Sequence, residues 1–598
     1  MNYKTIPEMF FSVLNNNLEN NILNYKQDGA WASLNGSDII ETVGNISGAL
    51  LSLNLKTQDK VAILSNTSYK WALCDYGILC CGMTTVTVYP TLIQDQVNFI
   101  INDSNTKIIF VENAEQFDKI NKIFDSCTAL EYVVIMDNND IANKYEFVYK
   151  LSDFLEIGKK YLENSNINIK SLTSSVKPSD LLTLIYTSGT TGMPKGVMLS
   201  HENIMSNICA VSELQKDLDN ETFLSFLPLS HVLERMAGHF FAMSTNSKIF
   251  YAENMETVGE NMAEISPTVV ICVPRFFEKM YNKIISGLNK SSDTKKKIFN
   301  WALQIGEDYT NLMHAKQNIP FTLKVKHKIA DRLIYSKVRK KLGGKIKFFI
   351  SGGAPLSRKI AEFFSGIGLT ILEGYGLTET SPVLTSNTPE DIRFGTVGKK
   401  IANVDIKIAK DGEILAKGPN IMLGYYNNDE ATDNVFDEDK WFKTGDIGEF
   451  DNDGYLTITD RKKSLIVTSA GKNIAPAPLE NALTSSKYIE QALVIGDKRN
   501  FISALLVPNF DMINNYLASI NKDSLSNEAL IDYPEVVNLI EDEVNHSMVN
   551  FSQFETIKKF KLLSNQFSIE KGEMTPKMSI VRKKVIDNYY DLIETIYN

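Results

Sequence analysis

Short apolar runs recur along the first two thirds of the chain. Residues 61–64, 107–111, 132–136, 181–185, 268–272 and 346–350 are rich in Val, Ile, Leu and Phe. Such runs, without polar alternation, predict strands buried on both faces, as in parallel sheets. Between them lie stretches of helical period, such as 357–364. Strand and helix in alternation predict an α/β fold whose parallel sheets are covered by helices. Near Ile401 the texture changes. Short alternating runs, separated by turns at Asp411-Gly412 and Asp451-Asn452-Asp453-Gly454, predict a small antiparallel β section. After Arg461 a mixed α and β pattern continues to residue 598.

The 598 residues exceed one ordinary core and suit a large α/β unit plus a smaller one. A net charge of −10 argues against a nucleic-acid binder. Six cysteines without a C-x-x-C pair read as buried thiols in a reducing compartment. The apolar region 71–89 is interrupted by Asp75, Gly77 and Gly82, too polar and short to span a bilayer. With no signal-peptide pattern at the start, the expected place is the cytoplasm. One stretch adds to this. Residues 321–347 carry ten Lys or Arg against one acid, Asp331, with apolar positions interleaved. Either a solvated helix packed on the large domain or a patch for peripheral contact with the inner face of an anionic membrane fits.

The segment Tyr186-Thr187-Ser188-Gly189-Thr190-Thr191-Gly192-Met193-Pro194-Lys195-Gly196 follows one of the apolar runs. Glycines bring backbone N–H groups up to a polyanion, hydroxyls add donors, and lysine adds charge. This is a phosphate cradle, though not the G-x-x-x-x-G-K-[ST] loop, because Pro194 stands at the second glycine position. Further on, Ser351-Gly352-Gly353-Ala354-Pro355 supplies small residues after a strand, where a flat ring can approach; a plain βα turn is the alternative. In Glu373-Gly374-Tyr375-Gly376-Leu377-Thr378-Glu379, Tyr375 can face a base, Thr378 can donate to a phosphate, and Glu379 is a hard ligand for Mg²⁺. Asp446 can accept from both hydroxyls of a ribose, and Arg461 to Lys463 add cations.

In this order the segments resemble the acyl-adenylate-forming, AMP-binding enzymes. Within them the chain is most similar to long-chain fatty acid–CoA ligases, through Tyr89-Pro90-Thr91, the segments 227–235 and 273–279, Met422-Leu423-Gly424-Tyr425-Tyr426, and 460–463 with 471–476. The resemblance implies ATP, Mg²⁺ and CoA as partners of a fatty acid, which is converted to acyl-adenylate and then to acyl-CoA. A different acid or a carrier-protein acceptor is the alternative. A non-catalytic fatty-acid or nucleotide binder is a second.

The resemblance further implies a large adenylate-forming domain, 1–461, and a small mobile α+β C-terminal domain, 462–598, turning about Lys463. Thr187 to Lys195 would hold phosphates, and Glu379 with Thr187 the metal. Tyr375, Gly374 and Gly376 with Gly353, Ala354 and Pro355 would enclose adenine. Asp446 and Arg461 would take ribose. His231 would lie by the acyl group, a packed core histidine being the alternative, and Gly471 would line the thiol channel. The family's catalytic lysine stands three residues before an arginine. Here Ser579 holds that place before Arg582, and Lys577 lies two residues earlier. In an extended segment those two positions share a face, so Lys577 could reach the same pocket; an exposed lysine, with Lys583 as substitute, is the alternative.

Overall fold

The computed structural model describes all residues except 1–2, 138–139, 188–193, 216–217, 290, 316, 463–464, 470–472, 550, 576–579 and 598. Two large sheets dominate the described residues. One has eight strands, in the order Gly424–Tyr425, Lys195–Ser200, Leu181–Thr187, Thr84–Val88, Lys60–Leu64, Thr106–Val111, Tyr132–Ile135 and Val148–Lys150. It is parallel from Leu181–Thr187 onward, and the Lys195 and Gly424 strands add an antiparallel edge. The other has nine strands, with a parallel centre of Ile371–Gly376, Phe348–Ser351, Val269–Cys272, Thr222–Ser225, Lys248–Tyr251 and Asn21–Gln27. Every apolar run named above coincides with one of these strands to within two residues.

The region 71–89 folds as a helix, Tyr69–Cys80, followed by the strand Thr84–Val88. Ser68 caps the helix, its hydroxyl accepting from the Trp71 amide at 3.2 Å. Residues from Trp71 to Cys80 are buried, so the helix is apolar nearly all round because it lies within the core. Its one fully buried charge, Asp75, is paired there. Arg235 donates from Nε to Asp75 Oδ2 at 2.8 Å and from Nη2 to Oδ1 at 2.6 Å, and the Thr85 hydroxyl donates to Oδ1 at 2.7 Å. Leaving one member of such a buried pair alone costs about 3–5 kcal/mol.

A four-stranded antiparallel sheet, Asp405–Ile408, Glu413–Lys417, Phe442–Phe450 and Leu456–Arg461, carries the turns read from the sequence. Beyond it, Ile489–Ile495, Ile502–Pro508 and Ile557–Leu562 form a three-stranded sheet with its own apolar core. The basic stretch is helical, Phe321–Ala330 running on through Asp331–Tyr335 to Ser336–Lys340. It packs through Ala330, Tyr335 and Leu342, which are buried.

Candidate active site

In parallel α/β sheets, ligands collect where the carboxyl ends of strands open. Here the ends of Leu181–Thr187, Phe348–Ser351 and Ile371–Gly376 open into one cleft of about 3760 Å³, which the antiparallel sheet and C-terminal elements also line.

The phosphate segment joins two antiparallel strands, Leu181–Thr187 and Lys195–Ser200. Thr187 pairs with Lys195 across it, and both line the cleft. Ser188, Gly189, Thr190, Thr191 and Gly192 lie outside the described residues. Gly196 is needed for packing, since a Cβ there would stand 3.0 Å from the Tyr186 ring. Beside the hairpin, Thr378 and Glu379 form a single turn after the strand Ile371–Gly376. Tyr425 joins the two groups. Its hydroxyl donates to Glu379 Oε1 at 2.9 Å, and Lys195 Nζ stands 5.0 Å from its ring centroid. Burial, with Glu379 beside it, pushes the phenol well above its ordinary range, so it stays a donor. Carboxylate and hydroxyl oxygens, as supplied by Glu379 and Thr187, are the hard donors that suit Mg²⁺.

On the nucleoside side, Tyr375 donates to Asp446 Oδ2 at 2.7 Å and Arg461 Nε lies 3.0 Å from Oδ1. The register that opposes Asp446 to Arg461 across neighbouring strands makes this meeting obligatory. Burial raises the Asp446 carboxyl, and Arg461 and Tyr375 oppose that rise. Gly353, Ala354 and Pro355 are exposed to the cleft. Gly353 has φ +82° and open space where a Cβ would stand. Gly376 differs, because a Cβ there would lie 1.7 Å from the Pro382 carbonyl oxygen. Its glycine is set by chain crossing, whereas Gly374 faces the Thr385 carbonyl at 3.3 Å. Register also places Glu373 beside Ser351, with its carboxyl pushed by burial up to about 8.

His231 is half-buried and lines the cleft, its Nδ1 accepting from the Leu233 amide at 3.1 Å. The packed-core alternative therefore does not describe it. Apolar side chains line the cleft as well, among them Phe226, Val232, Met236, Phe276, Met280 and Ile284. Glu234 is fully buried; the Ser225 hydroxyl donates to it at 2.6 Å, and burial lifts its carboxyl to about 8.

Lys463, Gly471 and Lys577 lie outside the described residues. Their neighbours are informative. Lys462 Nζ donates to Asp411 at 2.6 Å and to Glu413 at 2.8 Å, tying the strand end to the antiparallel sheet. Met574, Thr575, Ile580 and Lys583 line the cleft. Arg582 is held within its own segment by Glu480 at 2.6 Å and the Val494 carbonyl. Arg275 bridges to Glu490 at 2.6 Å across the two parts of the chain. Tyr425 is the site residue that residue types alone did not single out; its motif position was the only signal.

The profile of the AMP-binding enzymes matches residues 15–426, and that of the AMP-binding enzyme C-terminal domain matches 463–598. Long-chain-fatty-acid–CoA ligase FadD15 of Mycobacterium bovis is 35% identical over 577 residues, 96% of this chain and 93% of that protein. Long-chain-fatty-acid–CoA ligase ACSBG2 of Xenopus laevis is 31% identical over 99% of this chain and 84% of its own length. Among solved structures, the adenylation domain of a Mycobacterium chelonae carboxylate reductase superposes with a TM-score of 0.75 at 21% identity, covering 99% of this chain and 91% of that one. That likeness extends to the fold, while the profile and sequence matches settle kinship: the chain belongs to the AMP-binding enzyme family.

Proposed function

We propose that the chain is an AMP-forming long-chain fatty acid–CoA ligase. The fatty carboxylate attacks the α-phosphorus of ATP, giving acyl-adenylate and releasing pyrophosphate. The CoA thiol then attacks the acyl carbon, loses its proton, and AMP leaves. The observation that carries this reading is the one cleft lined by a cation–carboxylate pair bridged by Tyr425, a buried ribose-type carboxylate at Asp446 and a set of apolar side chains.

Lys195 and Thr187, with the residues between them, take the phosphates and offset charge that builds on them. Glu379 and Thr187 would hold Mg²⁺, which when bound would supply positive charge against the phosphates. Tyr375 and the Gly353–Pro355 turn, with Gly374 and Gly376, enclose adenine, and Asp446 with Arg461 takes ribose. His231, which lines the same cleft as these apolar side chains, takes the carboxyl end of the acid. Residues 1–461 act as the large domain, and 462–598 turn about Lys463 between the two half-reactions. That turn delivers Lys577 for adenylation and Gly471 for thioester formation. The Lys462 anchor and the cleft-lining residues on both sides of 576–579 support this division.

Peripheral contact with an anionic membrane belongs to the same reading. Phe321, Val325, Ile329 and Leu333, four apart on the basic helix, are 79%, 43%, 48% and 43% exposed. Lys324, Lys326, Lys328 and Arg332 flank them and are exposed too. Such a stripe suits a lipid interface. Among the described residues no helix is long and apolar enough to cross a membrane.

Fatty-acid-dependent exchange of labelled pyrophosphate into ATP, across C8 to C20 acids, tests the first step. Exchange should rise with chain length into the long-chain range. No exchange with any acid contradicts the proposal. Running the second step with CoA against a phosphopantetheine carrier protein fixes the acceptor.

A further inference from the structure

Tyr425 touches both charged groups on the phosphate side, yet its place there is made by backbone. The segment 422–426 is clamped between them. The Tyr426 amide donates to the Gly196 carbonyl at 2.8 Å, on the hairpin side, and the Met422 amide donates to the Glu379 carbonyl at 2.9 Å. Tyr425 itself lies opposite Val197 in the sheet, and its amide donates to Thr432 Oγ1 at 2.9 Å. Gly424, at φ +143°, lets the chain pass Thr432, where a Cβ would come within 2.8 Å of Cγ2. The ring is thus set before any ligand arrives, 7% exposed, with Lys195 at its face and Glu379 at its hydroxyl.

We infer that Tyr425 is a positioning residue for the metal–phosphate site, fixing the Glu379 carboxylate and the Lys195 ammonium relative to each other. This rests on the reading of Glu379 as a metal ligand. A carboxylate free to rotate presents its oxygens to a cation part of the time. One oxygen pinned by a phenol leaves the carboxylate in a single orientation, and preorganised charge is worth more than charge that must reorganise. The ring face does the same for Lys195, since the negative face of an aromatic ring attracts a cation held over it. Tyr425 would neither touch substrate nor move a proton.

The test is the affinity of the full-length protein for Mn²⁺·ATP, read by calorimetry and by the paramagnetic resonance of free Mn²⁺, both independent of turnover. Tyr425→Phe keeps the ring and removes the hydroxyl. A lost hydrogen bond to a charged group corresponds to about a tenfold weakening. Tyr425→Phe should weaken Mn²⁺·ATP about tenfold and leave metal-free ATP within about twofold. Tyr425→Leu, which also removes the ring face, should weaken both. Thr432→Val loosens the same strand but keeps the hydroxyl, so it should retain parental metal affinity. If Thr432→Val weakens Mn²⁺·ATP as much as Tyr425→Phe, general loosening explains the effect and the assignment is overturned. Glu379→Gln separates the two layers. If it weakens Mn²⁺·ATP but Tyr425→Phe does not, Tyr425 is dismissed and the metal reading stands. If Glu379→Gln itself leaves Mn²⁺·ATP binding intact, the metal reading falls and the inference with it.

Discussion

Replacing Asp446 by Asn probes the ribose assignment with little change in shape. Asp446 is 4% exposed and takes one hydrogen bond from Tyr375 and an ion pair from Arg461, one on each oxygen. The amide keeps one acceptor and turns an NH₂ toward the other position. A ribose diol that donated twice to a carboxylate would lose one bond outright and keep the other as a neutral one. Hydrogen bonds to charged groups contribute about 1.5–3 kcal/mol and neutral ones about 0.5–1.5, so the loss should total about 3 kcal/mol. At 1.4 kcal/mol per decade, that is on the order of a hundredfold in ATP affinity. Calorimetry with ATP and with 2′,3′-dideoxy-ATP makes the assignment specific. The parent should prefer ATP strongly. In Asp446→Asn that preference should shrink by most of the hundredfold, while dideoxy-ATP affinity changes little. An equal loss for both nucleotides in a protein that melts normally would refute the ribose assignment.

Other outcomes can be stated briefly. Gly376→Ala should cost more than about 2 kcal/mol of stability or abolish folding, because its Cβ meets a carbonyl oxygen, whereas Gly353→Ala should cost about 1–2 kcal/mol for its left-handed backbone alone; similar unfolding midpoints for the two would contradict this. Burial holds the Glu234 carboxyl at about 8 from an ordinary 4.5. The folded state therefore keeps a proton the unfolded chain releases, and this stability is present below 4.5 and lost as pH rises through about 8. Glu234→Gln should accordingly flatten the decline in urea-unfolding free energy between pH 5 and 8, and an unchanged slope counts against it. Lys577→Ala should slow acyl-adenylate formation and spare conversion of supplied acyl-adenylate with CoA; equal slowing of both removes the lysine from the first step. Changing Lys324, Lys326 and Lys328 to Gln should weaken binding to phosphatidylserine vesicles and reduce its salt dependence, with turnover on short soluble acids unchanged. Arg339 is left out of that set because it is tied to Asp331 at 2.6 Å and to the Ile367 carbonyl at 2.8 Å.

Legibility in the sequence followed burial. Strands covered on both faces are written as unbroken apolar runs, so six strands of the two parallel centres could be read directly, whereas Thr84–Val88, Thr222–Ser225, Lys248–Tyr251 and Asn21–Gln27, which carry polar residues, could not. The strand Ile371–Gly376 could not be read to its end. Its last four residues, Glu373 to Gly376, are polar, aromatic or glycine; Glu373 is paired with Ser351, and Gly374 to Gly376 stay in the sheet through antiparallel pairing with Val383–Ser386. The region 71–89 reads as apolar with an intrusive Asp75. What makes that charge tolerable is Arg235, 160 positions away, a distance no local pattern spans. The site divides the same way. Thr187, Lys195, Tyr375, Thr378, Glu379, Asp446 and Arg461 belong to compact segments whose residue types carry their chemistry, and all seven line one cleft. Tyr425 belongs to none. Its role depends on Glu379, 46 positions back, and on a lysine in another hairpin. Gly376, expected beside the base, carries a second constraint that no local pattern shows: a chain crossing where a Cβ would lie 1.7 Å from the Pro382 carbonyl oxygen.

The central claim is that this chain joins a long-chain fatty acid to CoA at the expense of the α–β phosphate bond of ATP. Product analysis tests it most directly. Purified protein given Mg-ATP, CoA and a long-chain acid should yield AMP, pyrophosphate and acyl-CoA in equal amounts. Each product should be absent when the acid is left out. ADP and phosphate in place of AMP and pyrophosphate, or AMP formed without any thioester, would contradict it.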